Sequence, residues 1–340
     1  ISTISPEASL ISPQRIGEIN EVIKSRNREI RIVGDGVKEL TPIIDEVTLT
    51  VPIAEGCLGE CSYCIVRLAR GKLKSRREEE IIKVIKRSVE EGVREIRLTA
   101  QDTAAYGLDI GTDLTKLLRR ILEIHGKYLL RIGMMTPNNA INIIDDLMEI
   151  YEDDRIYKFI HIPLQSGDND ILKLMNRRYS VEEYKEIVNK FRRKFPKGFI
   201  TTDIISGFPM ESEEAHKNTM KILWETMPDK VNAAKYTPRP HTKAAALPQI
   251  PDKIKSMRCK EVMEISRRIA LERNRMHLGE EAEVLILKRG EEDVFKARMK
   301  NYRMVLINAC EKMMGERAIA RIVDAKPTHL IGVLTSSWSW

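Results

Sequence analysis

The stretch Gly56-Cys57-Leu58-Gly59-Glu60-Cys61-Ser62-Tyr63-Cys64 places three cysteines on one short loop, with three and then two residues between them. Thiolates are ligands for soft metals, so this spacing indicates a metal centre. Three such ligands can bind three irons of a cubane [4Fe-4S] cluster and leave the fourth iron open to a ligand that is not protein. The alternatives are a zinc ion with a fourth ligand from elsewhere, and a thioredoxin-like redox pair of Cys61 and Cys64.

The rest of the chain favours the cluster over both alternatives. Structural zinc sites are usually built from two cysteine or histidine pairs, and the sequence has no second pair. His161, His216 and His241 stand alone and are expected to be hydrogen-bonded residues rather than ligands. A redox pair of two cysteines would leave Cys57 unexplained.

The composition restricts the class of protein. The 340 residues carry a net charge of +7, and 42% of them are hydrophobic and 31% charged, which predicts a soluble globular protein of about two domains. No apolar run is long enough to span a membrane. Five cysteines, three of them close together, suit a reducing cytosol, so we expect a cytoplasmic protein in which Cys259 and Cys310 are buried or half-buried thiols. The positive charge favours a polyanionic partner such as nucleic acid.

Hydrophobic periodicity after residue 46 predicts six strand-helix units in succession. The predicted strands are Val47–Val51, Ile96–Ala100, Leu129–Met135, Phe159–Leu164, Phe199–Ile205 and Val231–Tyr236. The predicted helices that follow the first five strands cover about 78–89, 114–122, 141–151, 184–191 and 211–225. Alternation of this kind predicts an α/β fold with a parallel sheet and right-handed crossovers.

Polar and turn-forming residues follow these strands. If the sheet curls into a barrel, the loops after its strands converge on one rim, where the chemistry of such barrels is found. The first loop carries the three cysteines, and the later loops carry Gln101-Asp102-Thr103, Thr136-Pro137-Asn138, Gln165-Ser166-Gly167, Gly207-Phe208-Pro209 and Pro238-Arg239-Pro240. Turn residues would occupy these places in any α/β protein, so the cysteines are what single out this rim.

The pattern changes after Lys243. Two prolines and small residues predict a linker, followed by a basic helix from about Asp252 to His277. Five short strands are then predicted at Ala282–Leu287, Val294–Met299, Met304–Ile307, Ala318–Ile322 and Leu330–Leu334. Five strands in so short a segment predict a small β-barrel, either a nucleic-acid-binding module or one that only packs on the main domain.

From Val47 to its end, the sequence resembles the radical S-adenosylmethionine (SAM) methylthiotransferases. Besides the cysteine loop, the likeness rests on Ala69-Arg70-Gly71, Ser75-Arg76, Glu95-Ile96-Arg97-Leu98-Thr99-Ala100-Gln101-Asp102, His161-Ile162-Pro163-Leu164-Gln165-Ser166-Gly167, Met175-Asn176-Arg177-Arg178-Tyr179, Thr202-Asp203-Ile204-Ile205-Ser206-Gly207-Phe208-Pro209 and Tyr236-Thr237-Pro238-Arg239-Pro240. The last segment is similar to the TRAM domain of that family, an RNA-binding β-barrel. Several motifs in the right order are more specific than the cysteine loop alone.

The resemblance implies a fold, cofactors and a set of site residues. It implies a partial parallel (βα)6 radical-SAM barrel at 45–268 and a small all-β TRAM barrel at 269–340. Cys57, Cys61 and Cys64 would hold a [4Fe-4S] cluster with one open iron, which binds SAM. No side chain is expected to act as acid or base, because the cluster generates the radical. The expected contacts to SAM are Tyr63, Ile65, Gln101, Asp102, Thr136, Gln165, Ser166, Asp203 and Arg239.

The stretch from Asp102 to Thr112 is similar to the archaeal and eukaryotic branch of the family. That likeness implies addition of a methylthio group to carbon 2 of N6-threonylcarbamoyladenosine, beside the anticodon of tRNA. It also implies an electron donor such as a ferredoxin or flavodoxin, and no membrane. Two positions depart from the family pattern, since Met210 and His241 stand where glycine is usual.

A larger departure concerns sulfur delivery. The family carries an N-terminal domain whose three further cysteines hold a second [4Fe-4S] cluster, and no cysteine precedes Cys57 here. Residues 1–44 are therefore expected to be the remnant and linker of that domain, and this chain is expected not to complete sulfur transfer.

Two rival functions stay open at this point. One is a non-catalytic, zinc-containing RNA-binding protein, and the other is the same radical chemistry on another base or on a protein side chain. In the first, phosphates would contact the basic residues of the cysteine-loop region and of the β-barrel, namely Arg67, Arg70, Lys72, Lys74, Arg76, Arg77, Arg298, Lys300 and Arg303.

Overall fold

The computed structural model describes residues 9–11, 15, 18–24, 31–32, 40, 42–291 and 294–338. It separates into two compact units, 1–41 and 42–340. In the first unit, strands β1 (Leu10–Ile11) and β2 (Arg31–Ile32) pair in parallel, and helix α1 covers Ile19–Lys24. The proposed domain boundaries at 44 and 268 stay predictions.

A parallel array of six strands forms the framework of the second unit. Its strands, in chain order, are β4 (Thr48–Pro52), β7 (Glu95–Thr99), β8 (Leu129–Arg131), β9 (Phe159–His161), β10 (Phe199–Ser206) and β11 (Lys230–Lys235), and the short strands β3 (Ile43–Asp45), β5 (Ala54–Glu55) and β6 (Lys74–Ser75) complete the set. Strands β4, β7 and β8 pair in parallel, as do β9, β10 and β11. Single parallel bridges, such as Met134 to His161, join the two groups between β8 and β9.

Helices follow the strands as the periodicity predicts. They are α2 (Val66–Arg70), α3 (Glu78–Glu90), α4 (Leu114–Leu122), α5 (Pro137–Ala140), α6 (Ile144–Ile150), α7 (Asn169–Leu174), α8 (Val181–Lys194), α9 (Glu213–Thr226) and α10 (Asp252–Arg275). Two of these helices begin at residues whose side chains cap the first turn. Asp113 caps α4, and Ser180 and Glu183 form a capping box on α8. No helix of the described ranges is both long enough and apolar enough to cross a bilayer.

Two predicted strands are shorter than expected. The predicted strand Leu129–Met135 ends at Arg131, and the predicted strand Phe159–Leu164 ends at His161. At Gly133 the chain passes so close to the neighbouring strand that a Cβ atom would lie 2.7 Å from the carbonyl oxygen of Leu98. The backbone leaves the ladder there, and the N–H of Thr103 donates to the carbonyl of Met134 at 2.8 Å. The rim loops therefore begin earlier than the hydrophobic pattern indicates.

The C-terminal segment forms a closed five-stranded barrel. Its strands are β12 (Glu281–Arg289), β13 (Val294–Met299), β14 (Met304–Asn308), β15 (Arg317–Ala325) and β16 (Leu330–Trp338), in the order β12-β13-β14-β16-β15. Closure leaves no free edge strand, and alternating residues such as Val284, Ile286 and Ala297 fill the interior. The α/β barrel followed by a small all-β barrel confirms the predicted fold class. Cys259 is half-buried as expected, but Cys310 is exposed because it lies in a surface turn before 311–313.

An apolar contact and a charged cluster join the small barrel to the N-terminal ends of the parallel strands. Leu285 and Leu287 of β12 pack against Leu129, Tyr157 and Phe159. Beside them the fully buried carboxylate of Asp229 accepts from Arg192 at 2.5 Å, from Arg273 at 3.0 Å and from Arg303. Arg303, counted above among possible phosphate contacts, is only 1% exposed, so that expectation is wrong.

The same cluster fixes the protonation state of His277. Its Nε2 accepts from the Nε of Arg303 at 2.9 Å, and its Nδ1 lies 2.7 Å from Oε2 of Glu280. An arginine N–H can only donate, so Nε2 carries no proton and Nδ1 donates to Glu280. Burial, together with the charge of Arg303, lowers the pKa of His277 to about 4, although Glu280 acts to raise it.

We therefore expect the chain to lose stability as the pH falls from about 6.5 to about 4. In this range the unfolded histidine takes up a proton that the folded one excludes, which removes up to about 3 kcal/mol. Urea unfolding across this range measures the loss. The variant His277→Gln keeps a neutral acceptor and should show a flatter profile, whereas His125→Gln, at an exposed position, should follow the wild type. Equal profiles for all three proteins would contradict this prediction.

Candidate metal centre

The cysteine loop is closed at its base and anchored at its tip. Strands β5 and β6 pair across the base, and the N–H of Cys57 donates to the carbonyl of Gly71 at 3.3 Å. At the tip, both the N–H and the hydroxyl of Ser62 donate to carbonyls at the end of α7, those of Met175 at 3.0 Å and Leu174 at 2.7 Å. Both ends of the loop are therefore held by hydrogen bonds to the backbone.

Each of the three sulfurs receives one hydrogen bond. The N–H of Gly59 donates to Cys57 Sγ at 3.2 Å, and the N–H of Val66 donates to Cys64 Sγ at 3.4 Å. The guanidinium of Arg177 donates to Cys61 Sγ at 3.1 Å. Burial raises the pKa of Cys57 and of Cys64, and the backbone N–H groups partly counter it. Metal binding at this loop therefore displaces protons, and the three donors stabilise the thiolates that form.

Arg177 is held beside the cysteines by aromatic contact. Its guanidinium lies 4.9 Å from the ring centre of Tyr179, whose hydroxyl donates to the carbonyl of Leu164 at 2.8 Å. The Nη2 atom of Arg177 is buried and has no hydrogen-bond partner. Sequence reasoning assigned this arginine no role. The only sign of a role in the sequence was the position of Arg177 in the run Asn176-Arg177-Arg178. This run follows α7 and lies at the rim of the barrel.

A cavity of about 110 Å³ adjoins the cysteines. Cys57, Cys61, Asp102 and Thr136 all line it, so four of the predicted site residues meet in one place. Asp102 is buried and accepts from the N–H of Thr136 at 3.0 Å, from its hydroxyl, and from Asn139 at 2.7 Å. Burial raises its pKa, and these donors partly counter it. Both carboxylate oxygens of Asp102 accept hydrogen bonds from the protein. These bonds connect the loop after β7 to the loop after β8.

Other predicted contacts lie on the neighbouring loops. The Oε1 of Gln101 is buried and has no hydrogen-bond partner, which leaves an acceptor for a ligand. Gln165 adopts a left-handed backbone conformation, with φ of 68°, and its N–H donates to the carbonyl of Asp203 at 2.7 Å. The hydroxyl of Ser166 accepts from the N–H of Asp168 at 3.3 Å, so it is partly used in the turn before α7.

The remaining predicted residues are spread more widely. Tyr63 packs edge-on against Phe208 with ring centres 6.2 Å apart, and burial raises its pKa well above the ordinary value. Ile65 is 39% exposed at the start of α2. Asp203 lies on β10 and contacts His161 at 2.9 Å. Arg239 is exposed on the loop after β11, where the structure gives its side chain no contact with the cysteines.

The donor set of the cysteine loop fits a multi-iron cluster. In the described part of the chain, no three His, Cys, Asp or Glu side chains are grouped closely enough to bind a single metal ion. The thiols of Cys57 and Cys61 face the same space beside Gly59, since a Cβ atom at Gly59 would lie 3.3 Å from Cys57 Sγ and 3.6 Å from Cys61 Sγ, and both cysteines line the cavity. Three spaced thiols with a cavity beside them suit a cubane, whose irons occupy separate corners.

Comparisons with known proteins agree with this geometry. Residues 51–223 match the model of the radical SAM superfamily, and 275–335 match the TRAM domain. A probable threonylcarbamoyladenosine tRNA methylthiotransferase of Pyrococcus abyssi is 45% identical over 85% of this chain and 68% of its own length. The chain belongs to the radical SAM tRNA methylthiotransferase family.

Further relatives show the range of that family. A probable threonylcarbamoyladenosine tRNA methylthiotransferase of Methanocaldococcus jannaschii is 42% identical over 87% of this chain and 68% of its own length. A tRNA-2-methylthio-N(6)-dimethylallyladenosine synthase of Carboxydothermus hydrogenoformans is 36% identical over 84% and 65%. Membership of this radical SAM family implies a [4Fe-4S] cluster and SAM.

The two departures from the family pattern both fall at left-handed backbone positions. Met210 has φ of 66° and His241 has φ of 65°, values that favour glycine. Both side chains are exposed, so they add no steric conflict. The rim loops after β10 and β11 therefore keep a shape that glycine would also adopt, and neither departure alters a proposed ligand.

Gly56 is the position at which the cysteine loop is most sensitive to substitution. Its φ is 72°, and an added Cβ atom would lie 2.0 Å from the carbonyl oxygen of Lys72. We expect Gly56→Ala to reduce iron bound after anaerobic reconstitution by more than half, because the base of the loop must open. Gly279, outside the loop, provides a control, since its φ is 79° but no atom lies within 4 Å of an added Cβ. Gly279→Ala should bear only the cost of a positive φ, about 1 kcal/mol, and load normally. Equal loading of the two variants would refute this expectation.

Proposed function

We propose that this chain acts on tRNA, methylthiolating carbon 2 of N6-threonylcarbamoyladenosine beside the anticodon. The observation that carries the proposal is the three-cysteine loop, whose Cys57 and Cys61 line a cavity together with Asp102, Thr136 and Arg177 at the carboxyl ends of the parallel strands. The names of the relatives that are 42–45% identical support this choice of base. The TRAM match at 275–335 supports an RNA substrate.

In this proposal Cys57, Cys61 and Cys64 hold the cluster. When bound, a [4Fe-4S] cluster with one open iron supplies the electron that splits SAM into methionine and a 5′-deoxyadenosyl radical. The protein's part is to offset the charge of the thiolates and to fix their positions. The N–H groups of Gly59 and Val66 and the guanidinium of Arg177 do so through hydrogen bonds to sulfur. Such hydrogen bonds raise the reduction potential of a cluster.

The polar rim residues are the proposed contacts to SAM. Gln101 is the strongest of them, because its buried Oε1 lacks a partner. The unpartnered Nη2 of Arg177 suits a carboxylate or a cluster sulfide. Asp102 acts by positioning Thr136, since its own oxygens are occupied. The remaining proposed contacts are Tyr63, Ile65, Gln165, Ser166, Asp203 and Arg239.

A wall of aromatic rings borders the proposed site and limits the entry of water. Tyr63 contacts Phe208, and Phe208 contacts Tyr236 with ring centres 5.4 Å apart. Phe208 is fully buried, and Tyr236 is 4% exposed. A carbon radical abstracts hydrogen from any C–H bond that it touches, so such a site must be dry and closely shaped. Phe208 follows β10 and Tyr236 follows β11. Their rings give this side of the proposed site an apolar surface.

Three further parts of the proposal concern partners. The electron donor is a ferredoxin or flavodoxin, and the enzyme works in the cytoplasm. Sulfur comes from a second [4Fe-4S] cluster, whose three ligands must be further cysteines, since only Cys259 and Cys310 remain beside the three of the loop and they stand far apart in the sequence.

Anaerobic reconstitution followed by reaction with an anticodon stem-loop RNA tests the function. We expect about four irons per chain, and formation of 5′-deoxyadenosine that increases when the RNA carries N6-threonylcarbamoyladenosine. The variants Cys57→Ala, Cys61→Ala and Cys64→Ala should each lose nearly all 5′-deoxyadenosine, because each removes an iron ligand. Cys259→Ala is the matched control and should retain the wild-type rate.

Different outcomes would remove different parts of the proposal. If the protein binds zinc instead of iron and cleaves no SAM, the proposed radical chemistry is wrong. If RNA with and without the threonylcarbamoyl group stimulates 5′-deoxyadenosine formation equally, the proposed substrate base is wrong. About eight irons per chain would contradict the statement that these five cysteines hold a single cluster.

A further inference from the structure

A cavity of about 580 Å³ lies where the parallel strands, α10 and the small barrel meet. The strands contribute Arg131, Phe159 and Asn232 to its lining, α10 contributes Arg267, and the small barrel contributes Tyr302. No residue that the structure describes lines both this cavity and the one beside the cysteines. Its volume lies within the range of small-molecule sites. We call this space the junction cavity, and it is separate from the metal centre.

Arg131 brings a positive charge to the junction cavity without an acceptor for its hydrogen bonds. The guanidinium lies 4.9 Å from the ring centre of Phe159 and 5.6 Å from that of Tyr302. Its Nε is buried and has no hydrogen-bond partner. Within the described ranges of the chain, the Arg131 side chain donates no hydrogen bond and pairs with no carboxylate. The rings stabilise the charge, but they do not replace the acceptors that the N–H groups lose on leaving water. A bound anion would supply such acceptors.

The charged side chains that line the junction cavity are mostly basic. The described lining contains one carboxylate, that of Asp229, and five basic side chains, those of Arg131, Lys230, Arg267, Arg298 and Arg303. Asp229 is already paired with Arg303 and with two arginines outside the cavity. Lys230 and Arg267 are exposed, and neither pairs with a carboxylate of the described residues. The cavity therefore has an excess of positive charge, which attracts an anion.

The surroundings of Arg131 do not offset this charge. Glu95 acts on Arg131 electrostatically, but Glu95 pairs with Arg97 and lies 3.8 Å from Arg298. Arg97 and Arg298 act on Arg131 as well, with the opposite sign. Burial lowers the pKa of Arg131, and these two arginines lower it further, although the guanidinium stays protonated at neutral pH. Arg131 thus carries a permanent charge that no neighbouring carboxylate neutralises alone.

We propose that the junction cavity binds a small organic phosphate whose phosphate group accepts hydrogen bonds from the guanidinium of Arg131. A phosphate monoester carries a charge of about −1.5 to −2 at neutral pH, which matches a site with several unpaired cations better than one carboxylate does. The planar guanidinium can donate two parallel hydrogen bonds to phosphate oxygens, and contact with the two rings restricts the orientation of that plane. The inference is independent of the proposed function, because it involves neither the cysteines nor a substrate bound beside them.

The ligand has an organic part, because the cavity is several times larger than a phosphate ion. Apolar side chains of Phe199, Met263 and Ala270 form part of the wall. The amide nitrogen of Asn232 donates to Asp203 at 2.7 Å, which leaves the amide oxygen as an acceptor. This lining suits a nucleoside, whose ring packs on apolar side chains and whose polar edge bonds to an amide. A nucleoside monophosphate combines both requirements.

An RNA backbone meets these requirements less well. Each internal phosphate of RNA is a diester with a single negative charge, and contacts to such phosphates follow the surface of the nucleic acid. Arg131 is half-buried, and its Nε is removed from solvent. We therefore expect a free nucleotide, and an RNA occupant is an alternative that the experiment separates.

Calorimetric titration of the full chain with uridine monophosphate (UMP), uridine and inorganic phosphate tests the inference. Uridine compounds are the probes because an adenosine compound would compete with SAM at the metal centre. We expect one UMP to bind per chain and inorganic phosphate to compete with it. Uridine, which has no charge, should bind at least about ten-fold more weakly than UMP. UMP should also raise the unfolding temperature, because it binds only the folded chain.

Substitutions at Arg131 locate the site. Arg131→Met should bind UMP at least about ten-fold more weakly, and UMP should no longer raise its unfolding temperature. Arg131→Lys should bind UMP with intermediate affinity, because it keeps the charge without the planar fork. The control is Arg155→Met, since Arg155 lies 5.7 Å from the ring centre of Tyr128 but does not line the junction cavity. This control should bind UMP as the wild type does. Circular dichroism checks that each variant is folded.

Four results would overturn the inference. The first is a wild type that binds neither UMP nor inorganic phosphate, and the second is uridine that binds as tightly as UMP. The third is a folded Arg131→Met or Arg131→Lys that binds UMP as tightly as the wild type. The fourth is displacement of UMP by an equimolar unmodified stem-loop RNA, which would assign the cavity to RNA instead. None of these measurements uses the cluster or SAM cleavage, so failure of the proposed function leaves them unchanged.

Discussion

Three thiols on one loop can hold a cluster at a defined place only if the loop keeps its shape, and here the backbone provides that constraint. The pairing of β5 with β6 closes its base, and the carbonyls of Leu174 and Met175 hold its tip. Gly56 makes the closure possible, since any side chain there would meet the carbonyl of Lys72. Because the loop is bound to the start of β6 and to the end of α7, the cysteines stay at the rim where the other loops converge.

A second constraint is the burial of charge where the two barrels meet. Asp229 is buried among Arg192, Arg273 and Arg303, which come from α8, α10 and the small barrel. Breaking a buried network of this kind usually costs several kcal/mol, because it leaves charges without partners. The network orients the small barrel, and through it Tyr302 and Arg298, which line a cavity of about 580 Å³ together with residues of the parallel strands and of α10.

Much of this architecture was predictable from the sequence, for reasons that are local. The period of Leu114, Leu117 and Ile121 predicts a helix because those residues share one buried face. The cysteine spacing predicts the ligand set because three thiols within eight residues must lie on one loop. The α/β fold and the small β-barrel were reached in this way, whereas the family was recognised from the resemblance of several motifs in the right order.

The features that were missed depend on long-range contacts. Arg192, Arg273 and Arg303 show no pattern in the sequence, and only the folded chain brings them to Asp229. Arg303 was even assigned to a phosphate contact, because a basic residue in a predicted RNA-binding barrel gives no sign of being buried. Arg131 is similar, since a strand residue reveals its lack of an acceptor only when its neighbours are known. The early end of β8 followed from a close approach at Gly133, which depends on the adjacent strand.

The most direct test of the radical SAM centre is the electron paramagnetic resonance spectrum of the reduced, reconstituted chain, recorded with and without SAM. If Cys57, Cys61 and Cys64 hold a cluster whose fourth iron binds SAM, the signal of a reduced [4Fe-4S] cluster should appear and its g values should shift when SAM is added. A spectrum without a cluster signal, or one that SAM leaves unchanged, would contradict the site described here.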